Sequence, residues 1–464
     1  MKNVLEGILE EIKPTSDEEN HLEKTCKRIK DTARKFREEY GYEPLFCGSI
    51  SKDTWLRSKK DIDLFLLFDE EVSREDLEEK GNEAAKKIID NLDGVWDIAY
   101  AEHPYVQGKI NGYEVDIVPA YDVNADEIKS SVDRTPWHVR WIENNLNHNQ
   151  TDQVRLLKKF CKEHGLYGSD LKTEGFSGYL CELLIAEYGD FENLVKEAKD
   201  WKSGHVVDPA EHFKSESYLR NDKFEKSVLI TIDPVDKDRN VASVLSSEKF
   251  FMFRKAAREF VENPDRETFF GSKEREMPMH ELKTKIKARG TDFLLVKFNE
   301  PDAHQDVIFP QMRKMNDRIE KVLEEEGFEV MRKDVWNEEG KCVLILELEV
   351  DELPRVDKRV GPSVFDRRNS KRFVKRYKGE HNLLIEDDKW VTEYWRESTS
   401  ALDFVRKFLD DSAEELQEKG VPKHLAEMIA DNVEIGSGHG ALRIFRRYPK
   451  LRVKMNEYFE KDLA

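Results

Sequence analysis

Cysteine is scarce and scattered in this chain. The 464 residues hold five, Cys26, Cys47, Cys161, Cys181 and Cys342, with no CxxC pair. Such spacing argues against a zinc site or a disulfide framework, and cysteines set in apolar runs read as buried thiols. Long apolar runs are missing too: none approaches the roughly 20 residues needed to cross a bilayer. The opening stretch MKNVLEGILEEIKP is acidic and amphipathic and lacks a secretory apolar core. A soluble, cytoplasmic protein without a membrane partner is expected. There is no internal repeat and no long low-complexity tract. An excess of positive charge is also absent, since the formal net charge is −19. As a sum, that argues against a nucleic-acid ligand.

The distribution of charge overrides the sum. Residues 367–378 (RRNSKRFVKRYK) carry seven basic side chains and no acid. A second basic stretch holds Arg443, Arg446, Arg447, Lys450, Arg452 and Lys454. A phosphate-bearing ligand meets such patches rather than the average. Charged residues make up 37% of the chain, a level that also suits adaptation to heat or salt. Hydrophobic content of 38%, with 25 Phe, is ample for packed cores, and 464 residues suggest about three domains at roughly 150 residues each.

Periodicity outlines the organisation. Val4, Leu5, Ile8, Leu9 and Ile12 follow helical spacing, and Pro14 ends that helix. Ser16-Asp17-Glu18-Glu19 reads as a capping box for a second helix toward Tyr40, stopped by Gly41. A strand at 44–47, a turn at Gly48-Ser49, a short helix near Trp55 and a strand from Asp61 follow. A charged helix over 73–91 precedes strands near 96–100, 105–110 and 113–118. This is a compact α/β unit of a few strands. Residues 151–188 read as helices, 204–240 as looser chain, 246–262 as helix and 262–278 as a linker. Further on, strands at 293–298 and 342–348 flank a helix over 310–326, with a basic loop after them. That pattern suggests a small α+β domain able to dock RNA on one face. The tail from about Val391 reads as mostly helical.

Asp61-Ile62-Asp63 carries the chemistry. It opens the apolar run Leu64-Phe65-Leu66-Leu67-Phe68. Residues two apart on a strand face the same way, so both carboxylates sit together beside a segment apolar enough to be buried. Burying two like charges is costly unless something positive lies between them. A divalent cation is the natural partner, and hard carboxylate oxygens suit Mg²⁺. Tyr113-Glu114-Val115-Asp116-Ile117-Val118 reads as another strand, with Asp116 facing away from Val115 and Ile117. If the two strands are neighbours, three acids converge. Three can hold two cations, one to activate an attacking oxygen and one to neutralise a leaving group. A lone Asp-x-Asp is more often a solvated pair; the upstream Gly-Ser and the third acid outweigh that reading here.

Gly48-Ser49, then Asp61-Ile62-Asp63, then Asp116 resembles the nucleotidyltransferase signature. Glycine lets the backbone approach a phosphate, which the serine hydroxyl and nearby N–H groups bind. The stretches CGSISKDTWLRSKKDIDLFLLF, YAEHPYVQGKINGYEVDIVPAY, SSVDRTPWH, VRLLKKFCKEHGLYG, GFSGYLCELLI and DPVDKDRNVA are similar to the archaeal-type (class I) CCA-adding enzymes, the tRNA nucleotidyltransferases. The similarity runs from about 45 to 242 and continues more weakly, including GPSVFDRRNSKRF. It implies an α+β multidomain protein. A nucleotidyltransferase-type mixed sheet with helices forms a catalytic head over 1–145, and a helical nucleotide-recognition domain covers 146–275. An α+β tRNA-binding body over 276–390 and a mostly helical tail over 391–464 complete it. The implied reaction is template-free addition and repair of the 3′-terminal CCA of tRNA from CTP and ATP. The implied metal is Mg²⁺ or Mn²⁺, and the family suggests a homodimer.

On that resemblance, Asp61, Asp63 and Asp116 hold the catalytic metal, and Gly48, Ser49 and Lys52 meet the triphosphate. The family's usual residue at Lys52 is arginine; lysine keeps the charge but loses the bidentate fork. His138 (after the helix-start signal Asp133-Arg134-Thr135-Pro136), Lys158 and Tyr167 match further nucleotide contacts. Arg239 in DKDRN resembles an arginine that reads the Watson–Crick edge of the incoming base, where several donors serve both cytosine and adenine. Read without the resemblance, these four are a helix-start histidine, a solvated lysine, a turn tyrosine and a loop arginine. His103 in AEHPY weighs toward packing rather than the metal. Tyr179 and Cys181 in GFSGYLCELLI read as core. Arg367, Arg368, Lys371, Arg372, Lys375 and Arg376 are expected on tRNA backbone phosphates, contacts that position without reading sequence. Recognition of RNA duplex by shape suits an enzyme that accepts every tRNA. Two other readings share the acids: an untemplated poly(A) or oligo(U) polymerase, and a non-catalytic RNA-binding relative. DRTPWH, VRLLKKF and DPVDKDRNVA weigh against the first, and the complete set of acids against the second.

Overall fold

A computed structural model describes residues 1–57, 61–100, 104–125, 127–213, 224–271, 275–379 and 382–460. The chain divides into two compact units, Met1–Lys273 and Glu274–Asp462. The architecture is α+β, with helices and several sheets.

The first unit opens with α1 (Lys2–Ile12) and α2 (Ser16–Tyr40). Thr15, not Ser16, caps α2. Its hydroxyl accepts from the Glu18 backbone N–H while the Glu18 carboxylate accepts from the Thr15 N–H, so the capping box starts one residue earlier than expected. Then come β1 (Tyr42–Cys47), the single turn α3 (Gly48–Ser51), β2 (Asp61–Asp69) and α4 (Arg74–Asp90). β3 (Val95–Tyr100), β4 (Pro104–Ile110), β5 (Tyr113–Asp122) and α5 (Thr135–Asn145) follow. The short helix expected near Trp55 lies at 48–51 instead. The chain after it is pinned by side chains: Asp53 takes a left-handed backbone (φ 50°) and Arg155 donates to the Trp55 carbonyl at 3.0 Å.

The five strands run in the order β1-β2-β5-β4-β3. β2 and β5 are parallel; the other neighbours are antiparallel. Ile62, Leu64, Leu66 and Phe68 share a core with Leu22 and Ile29 of α2 and with Ala84 and Ile88 of α4. Phe65 and Leu67 pack with Ala120 of β5 and Val139 of α5. A strand covered on both faces reads as a continuous apolar run, as this one does. By alternation, Asp61 and Asp63 belong to the Phe65 face.

The unit continues with α6 (His148–Glu163), α7 (Gly178–Tyr188) and α8 (Phe191–Ala198). Two short parallel strands, β6 (His205–Val207) and β7 (Leu229–Thr231), precede α9 (Ser247–Glu262) and α10 (Arg266–Phe270). Their core is aromatic. The Phe160 ring lies 5.4 Å from Phe191, 6.2 Å from Phe253, 6.0 Å from Phe260 and 5.5 Å from Phe269, centroid to centroid. Phe269 comes from the stretch expected to be a linker, which instead closes this core. Leu5, Ile8 and Ile12 of α1 join it.

In the second unit, α11 (Met279–Arg289), β8 (Asp292–Asn299), α12 (Gln305–Glu326), β9 (Val330–Glu338) and β10 (Lys341–Leu348) come first. β11 (Val356–Ser363), α13 (Arg367–Tyr377), β12 (Asn382–Glu386) and β13 (Lys389–Trp395) follow. The chain ends with α14 (Ala401–Leu409), α15 (Ala413–Glu418), α16 (Lys423–Asp431), β14 (Val433–Ser437), α17 (His439–Arg447) and α18 (Pro449–Glu460). An antiparallel sheet, β14-β8-β10-β9, is covered on both faces. Leu294, Val296 and Leu344 pack on Met312 and Ile319 of α12; Phe293, Leu295 and Val343 pack on Phe445 of α17 and Leu451 of α18. A second sheet, β11-β13-β12, lies beside α13 in the chain. The expected basic loop is therefore a helix, capped by Asp366, which accepts from the Asn369 N–H. The boundary expected at 390/391 runs through β13. The tail is not simply helical, because β14 pairs with β8 along 433–437. Its short, glycine-bearing sequence VEIGS has no strand signal of its own; the edge of β8 supplies the missing hydrogen bonds.

Cys47, Cys161, Cys181 and Cys342 are buried, Cys26 is half-buried, and none forms a disulfide. Among the described residues, no helix is long and apolar enough to cross a membrane. Phe160→Ala removes the ring at the centre of the aromatic cluster. It is expected to lower stability by about 3–5 kcal/mol, read as a lower urea midpoint; an unchanged midpoint contradicts the packing described.

Candidate active site

The acids meet through strand register. Asp63 of β2 is the direct partner of Asp116 of β5, and Cys47 of β1 lies opposite Asp63 on the other side. Gln107 of β4 faces Asp116 and donates from Nε2 to its Oδ1 at 2.9 Å. The Tyr105 phenol is pushed up, first by burial and then by Asp116 and Asp63, so both carboxylates act on one ring. Gly48 (φ +70°) lies against Asp63, and a Cβ there would fall 1.7 Å from Asp63 Oδ2. Only glycine fits both that backbone and that approach. Three half-buried carboxylates borne by paired strands suit a hard divalent cation in charge and donor type. Among the described residues, no group of three or more His, Cys, Asp or Glu side chains is clustered tightly enough to hold an ion as it stands. His103 lies outside the described residues.

A second cluster joins the lysines. Lys52, just after α3, donates to Glu182 Oε2 at 2.5 Å, and Lys158 of α6 donates to Glu182 Oε1 at 2.9 Å. Thr54 Oγ1 donates to the same Oε1 at 2.7 Å. Burial alone would raise the Glu182 carboxyl; Lys158, Lys52 and Thr54 override it and hold it at about 2. Burial pushes Lys158 below the usual lysine range, against the pull of Glu182 and with the push of Lys52. Tyr167 is pushed up by burial. Its hydroxyl sits close to Gly178, where an added Cβ would be 3.0 Å away, and Lys158 lies 3.6 Å from the same point.

A third cluster forms around Asp233, which is fully buried. His138 Nε2 lies 2.9 Å from its Oδ2, and Arg239 Nη1 donates to the same oxygen at 2.8 Å. The Tyr179 hydroxyl donates to Oδ1 at 3.2 Å, and its ring stacks on His138 at 4.0 Å. Lys52 sits over the other part of this site, 5.6 Å from the Tyr179 centroid. Burial would raise Asp233, but His138, the Val235 N–H and Arg239 hold it at about 2. His138 is pushed down, chiefly by burial, against the pull of Asp233.

The expected residues Gly48, Ser49, Lys52, Asp61, Asp63, Asp116, His138, Lys158, Tyr167 and Arg239 all fall in the first unit. Tyr179 packs against the core as expected and also reaches these residues through its hydroxyl; Cys181 is core, with no exposure. Glu182, Asp233 and Thr54 were missed. An acid inside the apolar run GYLCELLI is the signal that points to Glu182, because a buried carboxylate needs a cation. In the second unit, Arg367, Arg368, Lys371, Arg372, Lys375 and Arg376 of α13 are all exposed. The other basic stretch is not a comparable patch. Arg447 pairs with Glu434, Lys450 with Glu338, Arg452 with Glu276, and Lys454 with Asp334 and Glu457. Sequence shows the sign of those charges but not the acids that the fold brings to them.

Fold and site together define a nucleotidyltransferase, and residues 26–138 match the nucleotidyltransferase domain family. Residues 152–270 match the second domain of tRNA nucleotidyltransferase, and 289–438 the C-terminal domain of the CCA-adding enzyme. The chain belongs to the CCA-adding enzyme family. The CCA-adding enzyme of Methanocaldococcus jannaschii is 37% identical over 455 residues, covering 96% of this chain and 98% of that one. That of Archaeoglobus fulgidus is 36% identical over 441 residues, covering 94% and 95%. Among solved structures, E. coli MS115-1 CdnC with ATP is similar with a TM-score of 0.43 and 15% identity, covering 58% of this chain and 97% of that one.

Because the fold depresses His138, the unfolded chain takes up a proton there before the folded one does. Stability should therefore fall as pH drops from 7.5 through the usual histidine range, by at most about 1.4 kcal/mol per pH unit from this group. His164, also depressed by burial, adds a slope of its own. His138→Gln should flatten, but not abolish, the decline in melting temperature between pH 7.5 and 5.5.

Proposed function

We propose that this chain adds and repairs the 3′-terminal CCA of tRNA from CTP and ATP without a template, releasing pyrophosphate. The register of Asp63 with Asp116, in a chain matched to CCA-adding enzymes along nearly its whole length, is the observation that supports it. Asp61, Asp63 and Asp116 are the residues that would hold Mg²⁺ or Mn²⁺, which when bound supplies charge stabilisation at phosphoryl oxygens and a lowered hydroxyl pKa. Gly48 leaves room for Asp63 and brings the backbone of Ser49 toward the triphosphate. Lys52, Lys158 and Tyr167 bind the phosphates, and His138 and Arg239, held by Asp233, face the nucleoside. The tRNA 3′-hydroxyl oxygen attacks the α-phosphorus in line and loses its proton to solvent, while the bond to the bridging oxygen of pyrophosphate breaks. Positioning and charge stabilisation provide most of the acceleration, as in phosphoryl transfer generally.

The domain roles follow the same reading: head over 1–145, nucleotide recognition over 146–275, and a tRNA-binding body over 276–390 with the tail joined through β14. On α13, the cations Arg367, Arg368, Lys371, Arg372, Lys375 and Arg376 have no carboxylate partner among the described residues, which supports contact with backbone phosphates. The cytoplasm as its place and a homodimer as its assembly belong to this reading as well.

Asp63→Ala and Asp116→Ala should each drop incorporation by more than the about 10–100-fold typical of outer-shell changes, while tRNA binding and the unfolding midpoint hold. Full activity in either defeats the assignment. Given all four nucleotides and a tRNA lacking its end, wild type should grow the tRNA by three residues and stop; a long homopolymer tail supports a poly(A)-type polymerase instead. Removing Arg368 and Arg372 together should weaken tRNA binding and reduce its log–log salt slope by about two, with nucleotide KM unchanged.

A further inference from the structure

Glu182 is assigned no role by the resemblance, yet it binds two residues that are. Its side chain is 1% exposed, Lys158 3% and Lys52 8%. Lys158 Nζ donates to Glu182 Oε1 at 2.9 Å, to Thr54 Oγ1 at 2.8 Å and to the Thr54 carbonyl at 3.4 Å. An ammonium has three donors, so Lys158 directs its donors at Glu182 and Thr54, and the long 3.4 Å contact to the Thr54 carbonyl is the one a phosphate oxygen would replace. Lys52 Nζ has one hydrogen-bond acceptor among the described residues, Glu182 Oε2. It also lies over the Tyr179 ring, 5.6 Å from the centroid. Two ammoniums and one carboxylate leave one surplus positive charge in a place where burial penalises ionisation.

We propose that Glu182 is a positioning residue for the incoming triphosphate: one buried carboxylate binds both lysines, fixes Lys158 against Thr54 and presents Lys52 to the phosphates. The proposal rests on the nucleotidyltransferase reading above. It accounts for an acid standing where an anion is to bind. Two buried ammoniums without a shared counter-charge repel, and one sheds its proton. The groups facing this cluster come from several elements. Lys52 and Thr54 lie after α3, Lys158 and Cys161 on α6, Tyr167 after α6, and Tyr179, Cys181 and Glu182 on α7. Asp61 of β2 acts on Tyr167, and His138 of α5 feels Lys52. Burial pushes Cys161, Tyr167 and Tyr179 up, so they stay neutral across the neutral range, and Glu182 is the carboxylate that hydrogen-bonds both lysines.

Glu182→Gln keeps the shape and removes the charge. The full-length chain is assayed with tRNA lacking its CCA end, at pH 8.5 and 6.5, with wild type at both as reference. A wild type that fails to add three nucleotides refutes the function itself, independently of Glu182. For Glu182→Gln, KM for CTP and ATP should rise at least about tenfold at pH 8.5 with kcat within about threefold, a loss of binding common to ground and transition states. At pH 6.5 the rise should shrink to less than about threefold as Lys158, which burial already depresses, regains its proton. Glu182→Asp, which keeps the charge, should recover most of the affinity at both. An unchanged KM, a rise equal at both pH values, or a loss confined to kcat overturns the proposal. If Glu182→Gln does not fold, Thr54→Val takes its place: it should show a smaller KM rise with the same pH dependence, and a pH-independent rise overturns the proposal.

Discussion

Sliding β5 by one residue along β2 would turn Asp116 toward the core under α2 and α4 and bring an apolar side chain to the acids. That slip is opposed by Ile62, Leu64 and Leu66 on one strand and Val115 and Ile117 on the other, all buried without exposure in a single core. Parallel strands cannot be joined by a tight turn. Here α4, β3 and β4 form the intervening chain, and β4 returns beside β5 to place Gln107 on Asp116. The arrangement of the acids is thus set by the apolar residues that alternate with them on the same strands. Gly48 completes it, since any side chain there would occupy the space of the Asp63 carboxylate.

Two buried carboxylates do for the neighbouring polar side chains what the sheet does for the acids. Lysine and arginine are long and lose much rotamer freedom when held. Glu182 fixes Lys52 and Lys158, which are far apart in sequence, and Asp233 fixes His138, Arg239 and the Tyr179 hydroxyl. Buried ion pairs of this kind contribute little net stability, because desolvation offsets attraction. Their value here is geometric, in converting mobile cations into placed ones. Arg155 has the same part in the loop between them, tying Asp53 and Trp55 to α6.

How much of this could be read beforehand depended on the range of the interaction. Asp61, Asp63 and Asp116 were legible because strand alternation is local and the apolar run beside them is long. The helices α1, α2, α4 and α9 were legible for the same reason. β14 was not, because its pairing with β8 is set by a residue stretch more than a hundred positions away. Lys158 and Arg239 carry no local mark that separates them from solvated cations, and only the family resemblance singled them out. Tyr179 packs on the core as its apolar helix suggests, but its hydroxyl contact was not legible because Asp233 comes from a segment far along the chain. The basic stretch at 443–454 misled because its partners, Glu276, Glu338 and Asp334, come from distant segments.

The exposed cations of α13 belong to a chain whose formal charge is −19. On the reading that α13 meets RNA, a polyanion diffusing toward such a protein is repelled by its net charge and attracted at that helix, so productive encounters are selected by orientation before any short-range contact forms. Ionic strength then governs more than strength of attachment. Screening within about a Debye length weakens the guiding field together with the repulsion that rejects misaligned approaches. Added salt should therefore slow capture and blunt its directionality at once.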